Sequence, residues 1–326
     1  MTPHPLVVLT PVKNEAWILE RFLAVTSRIA DLIVIADQGS TDGSRDICRR
    51  FAKVHLIDNP SPSYDEAARQ RLLLHAARER VPGTKVLLAL DADEIVAADA
   101  PGSPGWKAML EAAPGTVLCF EKPDLWQGTD LCLRFEMPWP LGYVDDGAEH
   151  FARRMHSIRL PTPEGSPRLH VQDVKILHYA LARHDHLAAK SRFYSVQENL
   201  HGTNPVYRRR ARYSRDHDWR SHGRLEPAPR EWFDRWVESG VDLHAIPRED
   251  FYWQDFEVLR LFGRHGTRRF WLDDIWSFDW EACRRYALGR RLPGIPAGPI
   301  TGPPRPVRLA GSLLDLLHKA WWRARR

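Results

Sequence analysis

The chain has 326 residues, of which 43% are hydrophobic. This is enough for one large domain, or for a domain of about 200 residues with an appended module. Its formal net charge is +5, and the arginine excess lies mainly in the second half. A basic half suits acidic partners such as nucleic acid, anionic lipid or phosphorylated substrates, and charge alone does not choose among them.

The four cysteines lie far apart and form no Cys-x-x-Cys pair. This spacing argues against a zinc site and a dense disulfide framework, and it favours a reducing compartment. The N-terminus has no charged leader typical of a signal peptide. No apolar run approaches the roughly 20 residues that cross a bilayer. We therefore expect a cytoplasmic protein, or one held peripherally at the inner face of the plasma membrane.

The first elements alternate between strand and helix. Leu6–Thr10 predicts a buried strand that stops at Pro11, because proline cannot donate to a sheet ladder. Apolar residues at helical spacing follow, and then Leu32–Ala36 predicts a second strand. Ser40–Asp42 can cap the next helix, and Val54–Ile57 predicts a third strand. The pattern is βαβαβ.

The same alternation continues to the fourth strand. A helix over Tyr64–Arg80 precedes a very apolar strand, Lys85–Leu90, which ends at Asp91–Glu94. Such alternation predicts a parallel sheet that collects ligands outside the carboxyl ends of its strands. Asn14–Glu15 follows the first strand and Asp37–Ser40 the second, so each polar cluster lies at such an end.

Four regions are expected along the chain. Residues 1–204 form the α/β domain, and residues 205–292 a basic, aromatic-rich, mainly helical extension. Residues 293–306 repeat proline and glycine too densely for a helix and form an extended linker. Residues 307–326 form an amphipathic C-terminal helix.

Asp91 and Asp93 place two carboxylates at i and i+2 in a segment we expect to be extended, so both point to one face. Mg²⁺ or Mn²⁺ takes few protein oxygens and completes its shell from water and a diphosphate. The pair therefore predicts a site for Mn²⁺ or Mg²⁺. The alternative is a solvated turn between strand and loop.

Three ordered segments resemble the signatures of family 2 glycosyltransferases: Val7–Glu15, Ile33–Ser44 and Leu88–Glu94. The resemblance implies a Rossmann-like GT-A fold, a mostly parallel sheet flanked by helices, here with a helical C-terminal extension. It also implies a nucleotide-diphosphate sugar donor, a divalent metal and inversion at the anomeric carbon.

Carried over position by position, the resemblance places the nucleoside at the loop from Pro11 to Glu15 and at Asp37. It places Asp91 at the ribose or the metal, Asp93 at the metal and Arg69 at the diphosphate. Lys13 and Gln38 replace the family's usual tyrosine and second aspartate, so a uridine nucleotide is not assumed. The expected nucleotide-sugar-binding set is Pro11, Lys13, Glu15, Asp37, Gln38, Arg69, Asp91 and Ala92.

Inversion requires a base that takes the acceptor's proton, so we look for a carboxylate beyond the acidic pair. Asp146 is the first candidate, followed by Asp145 and Glu149, in a glycine-flanked loop. A turn capped by aspartates is the alternative for the two aspartates. His178 ends another expected strand and could complete the metal shell or touch the diphosphate. It could equally be a structural histidine.

The last helix carries an apolar stripe that includes Leu309, Leu313 and Leu316, with basic residues such as Arg308 towards the other side. Such a helix suits a membrane surface, and packing against its own domain is an equal alternative.

The sequence therefore predicts a metal-dependent glycosyltransferase in bacterial surface polysaccharide or lipopolysaccharide synthesis, with a saccharide or lipid-linked saccharide acceptor. One alternative is a sugar-nucleotide nucleotidyltransferase, but the segment after the first strand lacks that class's glycine- and arginine-rich phosphate loop. Another is a non-catalytic nucleic-acid or membrane-binding protein, suggested by Arg208–Arg210. That interpretation leaves the paired acids unexplained, and we expect no nucleic-acid partner.

Overall fold

The computed structural model describes residues 3–59, 65–202, 204–213 and 223–323. Within these ranges the strands are β1 (Leu6–Val12), β2 (Leu32–Asp37), β3 (Val54–Asp58), β4 (Val86–Ala89), β5 (Glu94–Val96), β6 (Val117–Glu121), β7 (Asp124–Leu125), β8 (Leu131–Arg134), β9 (Trp139–Val144), β10 (Arg168–His178) and β11 (Arg224–Pro227). The α-helices are α1 (Ala16–Ile29), α2 (Ser44–Arg49), α3 (Glu66–Arg80), α4 (Pro104–Leu110), α5 (His184–His201), α6 (Val206–Arg212), α7 (Asp234–Glu238), α8 (Trp253–His265), α9 (Trp280–Gly289) and α10 (Arg305–Arg323).

The N-terminal third is a parallel α/β unit, as the alternation predicts. β1 pairs in parallel with β2 and β4, and β2 pairs in parallel with β3. Because side chains alternate along a strand, Leu6 and Val8 pack in the core cluster that contains α1, whereas Val7 and Leu9 pack in the cluster that contains α3. Helices therefore cover both faces of this part of the sheet, which explains why its strands are apolar throughout.

Pro11 lies inside β1, which continues to Val12, whereas the sequence predicts that the strand stops at Pro11. Leu9 accepts a hydrogen bond from the Leu90 amide on the β4 side, and Val12 accepts one from Gln38 on the β2 side. Since backbone groups alternate between the two sides, the nitrogen of Pro11 faces the β4 side, beyond the end of β4 at Ala89. No ladder hydrogen bond is lost there, so the proline is tolerated.

The second part of the sheet introduces antiparallel pairs. The order of the connected strands is β11-β8-β7-β10-β6-β9-β4-β1-β2-β3, with β5 paired to β10. β9 is antiparallel to both β4 and β6, and β10 is parallel to β6. It follows that β4, β6 and β10 all point the same way. Their carboxyl ends, at Ala89, Glu121 and His178, therefore share one edge of the sheet.

Two compact units divide the chain. The first contains residues 1–183 together with 220–247, and the second contains residues 184–219 together with 248–326. This division differs from the predicted boundary after residue 204. Residues 220–247 belong to the first unit because β11 pairs antiparallel with β8 and extends its sheet. The expected Pro/Gly linker precedes α10, which begins at Arg305, two residues before the predicted start.

The second unit is helical and has an aromatic core. Phe262 of α8 packs against Phe270, Trp276 and Trp280, with ring centroids 5.0 to 5.6 Å apart. Buried ion pairs complete this unit: Arg192 of α5 donates two hydrogen bonds to Asp255 of α8. Among the tryptophans of this unit whose side chains are described, Trp280 is buried in this core, and Trp253, Trp271 and Trp276 are half-buried.

The four cysteines are free and buried. In the described part of the chain no helix combines the length and the apolarity needed to traverse a bilayer.

Candidate active site

The loops after β1 and β2 hold each other by side-chain caps. Asn14 accepts a hydrogen bond from the Thr41 amide at 2.7 Å, and the Asn14 amide donates to Ser40 Oγ at 2.9 Å. The Glu15 amide donates to Ser44 Oγ at 3.0 Å. Asn14 has a φ of 55°, a left-handed conformation that asparagine tolerates better than most residues. Ser40, Thr41 and Ser44 thus lock the two loops into one surface.

Asp37, the last residue of β2, is the centre of this surface and is 1% exposed. Its Oδ2 accepts hydrogen bonds from Arg45 at 2.8 Å and from the Ser40 amide at 3.1 Å. Its Oδ1 is buried and has no hydrogen-bond partner within the described ranges. A buried acceptor left unpaired is costly, so Oδ1 suits a ligand that brings a donor. Arg45, which also pairs with Asp58 at 2.7 Å, is a site residue that sequence reasoning missed.

Most of the other predicted nucleotide-binding residues lie at this edge of the sheet, and Arg69 lies on a helix that packs against it. The register aligns Val12 with Asp37, which brings Pro11, Lys13, Glu15 and Gln38 to neighbouring carboxyl ends. The carboxylate of Glu15 accepts a hydrogen bond from the Trp17 indole at 2.8 Å. Arg69 lies in the first turns of α3, which packs against β1 and β2.

The acidic segment after β4 is a turn, which corrects the expectation of an extended pair. The Glu94 amide donates to the Asp91 carbonyl at 3.0 Å, and the Asp91 amide donates to Glu94 Oε2 at 2.9 Å. Because the chain reverses here, Asp91 and Asp93 do not share one face. Asp91 pairs with Arg159 at 2.6 Å, whereas Asp93 lies against His178. Ala92 between them is buried.

Asp93, His178 and Asp124 form the arrangement that best suits a metal ion. His178 Nδ1 contacts Asp124 Oδ1, and His178 Nε2 lies 3.8 Å from Asp93 Oδ1. That separation is too long for a hydrogen bond, so the His178 and Asp93 side chains lie side by side without a direct hydrogen bond between these two atoms. Metal-binding histidines commonly direct their second nitrogen to a carboxylate, as His178 does to Asp124.

These residues would supply two protein ligands. Across the described ranges, no three histidine, cysteine, aspartate or glutamate side chains converge closely enough to hold a metal by themselves. Two protein ligands fit Mn²⁺ or Mg²⁺ when a substrate diphosphate and water complete the shell. Asp124 was not predicted; its only sequence signal is its position three residues after a strand, and pairing it with His178 required the fold.

Glu94 holds the acidic turn in place through buried ion pairs. It is fully buried and pairs with Lys122 at 2.9 Å and with Arg159. Burial alone would raise the pKa of Glu94, but Arg159 and Lys122 outweigh burial and hold its pKa well below the ordinary value. Glu94 is therefore a charged structural residue. Arg159 lies in an irregular segment that carries no sequence signal, so sequence reasoning could not identify it.

Asp145 and Asp146 lie at the opposite edge of the sheet, which corrects their assignment as the base. Asp145 follows β9, and its amide donates to the carbonyl of Lys85, the residue before β4. The Asp145 carboxylate pairs with Arg78 and Lys85, both at 2.8 Å. Asp146 accepts a hydrogen bond from Tyr143 at 2.6 Å and caps a turn. The length of β4 separates both aspartates from Asp93.

Glu149, the third candidate, is exposed and lines a cavity of about 420 Å³. Arg153, His156 and Ser157 also line this cavity. Most of the residues that line the cavity lie in the chain between Asp145 and Arg159. Asp145 is at one edge of the sheet, and Arg159 pairs with Asp91 at the other. Among the three predicted bases, Glu149 is thus the one that lines this cavity.

The arrangement places polar loops and an acidic turn together at the carboxyl ends of parallel strands in an α/β unit. The family model for glycosyl transferase family 2 matches residues 7–102, which contain all three predicted motifs. The match confirms over this segment the resemblance that the motifs indicate. A comparison with curated proteins gave no significant match.

Solved structures resemble the chain only in part. Glucosyl-3-phosphoglycerate synthase from Mycobacterium tuberculosis, crystallised with Mn²⁺, UDP and glucosyl-3-phosphoglycerate, is 16% identical with a TM-score of 0.27. The match covers 37% of this chain and 44% of the synthase, less than half of its length. A nucleotidyl transferase from Methanothermobacter thermautotroptrophicus is 12% identical with a TM-score of 0.25, covering 38% of this chain and 66% of the other. These similarities carry no conclusion about substrate.

Proposed function

We propose that the protein transfers a sugar from a nucleotide-diphosphate donor to an acceptor hydroxyl, with a divalent metal and with inversion. The observation that carries the proposal is the geometry of Asp93, His178 and Asp124 at the edge of the sheet where Asp37 also ends its strand. A family 2 match over the same strands supports it.

Each residue has a distinct task in this proposal. The unpaired Oδ1 of Asp37 accepts a hydrogen bond from the nucleoside. Asp93 and His178 would hold Mn²⁺ or Mg²⁺, and Asp124 fixes the orientation of the His178 ring. A divalent ion held there would supply positive charge opposite the diphosphate leaving group. Arg159 and Lys122 keep the acidic turn in place through Glu94.

We assign the acceptor base to Glu149. An inverting reaction needs a carboxylate on the face opposite the leaving group, and Glu149 is an exposed carboxylate on the cavity wall that continues to Arg159. Asp145 is not proposed, because it is buried between two cations at the far edge.

The decisive experiment is a panel of nucleotide sugars assayed for release of nucleoside diphosphate, with Mn²⁺, with Mg²⁺ and with EDTA. We expect slow hydrolysis of at least one donor with metal and none with EDTA. Each donor is also tested for thermal stabilisation, because a ligand bound only by the folded state raises the melting temperature. Pyrophosphate release from a nucleoside triphosphate and a sugar phosphate would instead identify a nucleotidyltransferase.

We also propose that α10 meets an anionic membrane surface, which suits an enzyme acting on lipid-linked saccharides of the bacterial surface. Leu309, Leu313 and Leu316 recur at i, i+4 and i+7 and are 71%, 56% and 65% exposed. On another side of the helix, Asp315 pairs with Arg210 of α6 at 2.6 Å. The helix is thus held to its own unit without covering the leucine stripe, which together with exposed Arg308 suits anionic lipid.

A further inference from the structure

We propose that Trp139 is the stacking surface for the acceptor, and that this acceptor presents a saccharide ring. The proposal rests on the glycosyltransferase function above and adds the residue that would bind the saccharide ring of the second substrate.

Trp139 is joined to the acidic turn by a chain of contacts. It begins β9 opposite Phe120, near the carboxyl end of β6. The Lys122 ammonium lies 4.5 Å from the centroid of the Trp139 ring and 2.9 Å from Glu94 Oε1. Glu94 in turn shares Arg159 with Asp91. A cation over the ring face holds the indole in place, so the ring is ordered before any substrate arrives.

The exposure of Trp139 distinguishes it from the other tryptophans. Among those whose side chains the structure describes, Trp139 alone is exposed, at 44%. Its neighbour Met137 is 77% exposed and extends the apolar surface. A large apolar side chain left in solvent beside a catalytic edge is typical of a binding surface, since the same indole would stabilise the protein more if buried.

The strand order indicates which substrate this surface receives. The nucleoside loops follow β1 and β2, and the acidic turn follows β4. Trp139 lies on β9, the neighbour of β4 on the side away from β1. It is therefore on the acceptor side of the turn. The flat apolar face of an indole complements the C–H face of a pyranose, and a tryptophan supplies such contact area at low conformational cost.

The test uses saturation-transfer difference NMR with four probes: the methyl glycosides of glucose, galactose, mannose and N-acetylglucosamine. The variants are Trp139→Ala and Trp139→Phe, with Leu131→Ala as the control for loss of an exposed apolar side chain on the same sheet. We expect at least one glycoside to bind the wild type, with its C–H face most saturated. The affinity of the protein for that glycoside should fall on the order of tenfold in Trp139→Ala. Trp139→Phe and Leu131→Ala should keep most of this affinity.

Two results would overturn the proposal: unchanged glycoside affinity in Trp139→Ala, or no binding of any glycoside to the wild type. Weaker binding of UDP or GDP to Trp139→Ala would overturn it too, because the ring would then stack on a nucleobase. Metal-dependent hydrolysis of nucleotide sugars without acceptor is measured in parallel on the wild type, as a separate test of the glycosyltransferase function. If the wild type does not hydrolyse nucleotide sugars, that result would count against the glycosyltransferase function and not against saccharide binding at Trp139.

Discussion

At the scale of single residues, the candidate site depends on which partner each acid has. Asp93 has a histidine close enough to share a cation, Asp91 is neutralised by Arg159, and Asp145 lies between two cations at the opposite edge. Identical carboxylates in one domain therefore have different chemistry. The difference comes from their neighbours and not from their spacing in the chain.

Asp93→Ala should remove the metal-linked behaviour of the protein. We expect no nucleotide-sugar hydrolysis, and no further rise in melting temperature when Mn²⁺ is added to a nucleoside diphosphate, because one of the two proposed protein ligands is gone. Asp99→Ala is the matched control, since Asp99 is an exposed aspartate in the same region. A wild-type Mn²⁺ response in Asp93→Ala would refute the metal assignment.

Asp124→Asn tests the positioning role separately. Asparagine keeps the size of the side chain but removes the charge that orients and polarises His178. Loss of such a partner typically weakens metal affinity about 10- to 100-fold. We therefore expect the Mn²⁺ concentration for half-maximal hydrolysis to rise by that factor, with the maximal rate at saturating Mn²⁺ much less affected. An unchanged Mn²⁺ dependence would show that Asp124 is only structural.

At the scale of elements, the close packing of β4, β9 and β6 sets the positions of the strand ends. Gly142 of β9 pairs with Leu88 on one side and with Leu118 on the other. A Cβ at this position would lie 2.9 Å from side-chain atoms of both leucines. The strands can approach in this way because residue 142 has no side chain.

Gly142→Ala should therefore destabilise the first unit by about 1 to 3 kcal/mol, the usual cost of adding a methyl group to a packed core. The free energy of unfolding by urea measures it. Gly289→Ala is the control: its added Cβ meets no atom within 4 Å, so we expect little change. Equal stability of Gly142→Ala and the wild type would mean that the strands can move apart freely.

The Asp145 cluster joins α3 to the edge of the sheet, and it predicts a dependence on pH. Burial opposes ionisation of Asp145, but Arg78 and Lys85 outweigh it and lower the pKa of Asp145. Because the folded-state pKa lies below the unfolded value of about 3.9, the stabilisation is complete above that pH. It is lost as the pH falls through the folded-state pKa.

Asp145→Ala should cost about 3 kcal/mol at pH 7, because it leaves Lys85 buried without its partner. The difference from the wild type should shrink as the pH falls below about 4, because the unfolded carboxylate then takes up a proton while the folded one is still charged. Urea unfolding from pH 7 to pH 3 measures both effects. Nucleotide-sugar hydrolysis per folded molecule should stay close to wild type, and its loss would return Asp145 to the list of candidate bases.

At the scale of the whole molecule, the unit that contains the sheet and the helical unit have different surfaces. The helical unit uses Arg209 and Arg210, two of the three consecutive arginines that suggested a nucleic-acid site, in ion pairs with Asp273 and Asp315. These arginines stabilise the unit, which leaves the leucine stripe of α10 as its most exposed apolar feature.

The full chain should sediment with vesicles that contain phosphatidylglycerol and much less with phosphatidylcholine alone. Replacing Leu309, Leu313 and Leu316 together with serine should lower the partition coefficient at least tenfold, because each buried leucine contributes about 1.5 to 3 kcal/mol. Leu288→Ser is the control, since Leu288 is exposed in α9. If the triple variant sediments like the wild type, α10 does not mediate the contact.

The sequence by itself determined the parallel strands, the resemblance to family 2 glycosyltransferases over residues 7–102, and the residues at the carboxyl ends of those strands. The hydrophobic period and the strand-end motifs that show them are local properties of the chain. The sequence also predicted His178 at the end of a strand, which the structure confirms. Only the tertiary structure decided that the acidic segment is a turn, that Arg159 and Asp124 join the site, and that Asp145 and Asp146 lie at the far edge. Those facts depend on β9 running antiparallel between β4 and β6, and strand direction is set by long-range pairing that no local pattern encodes.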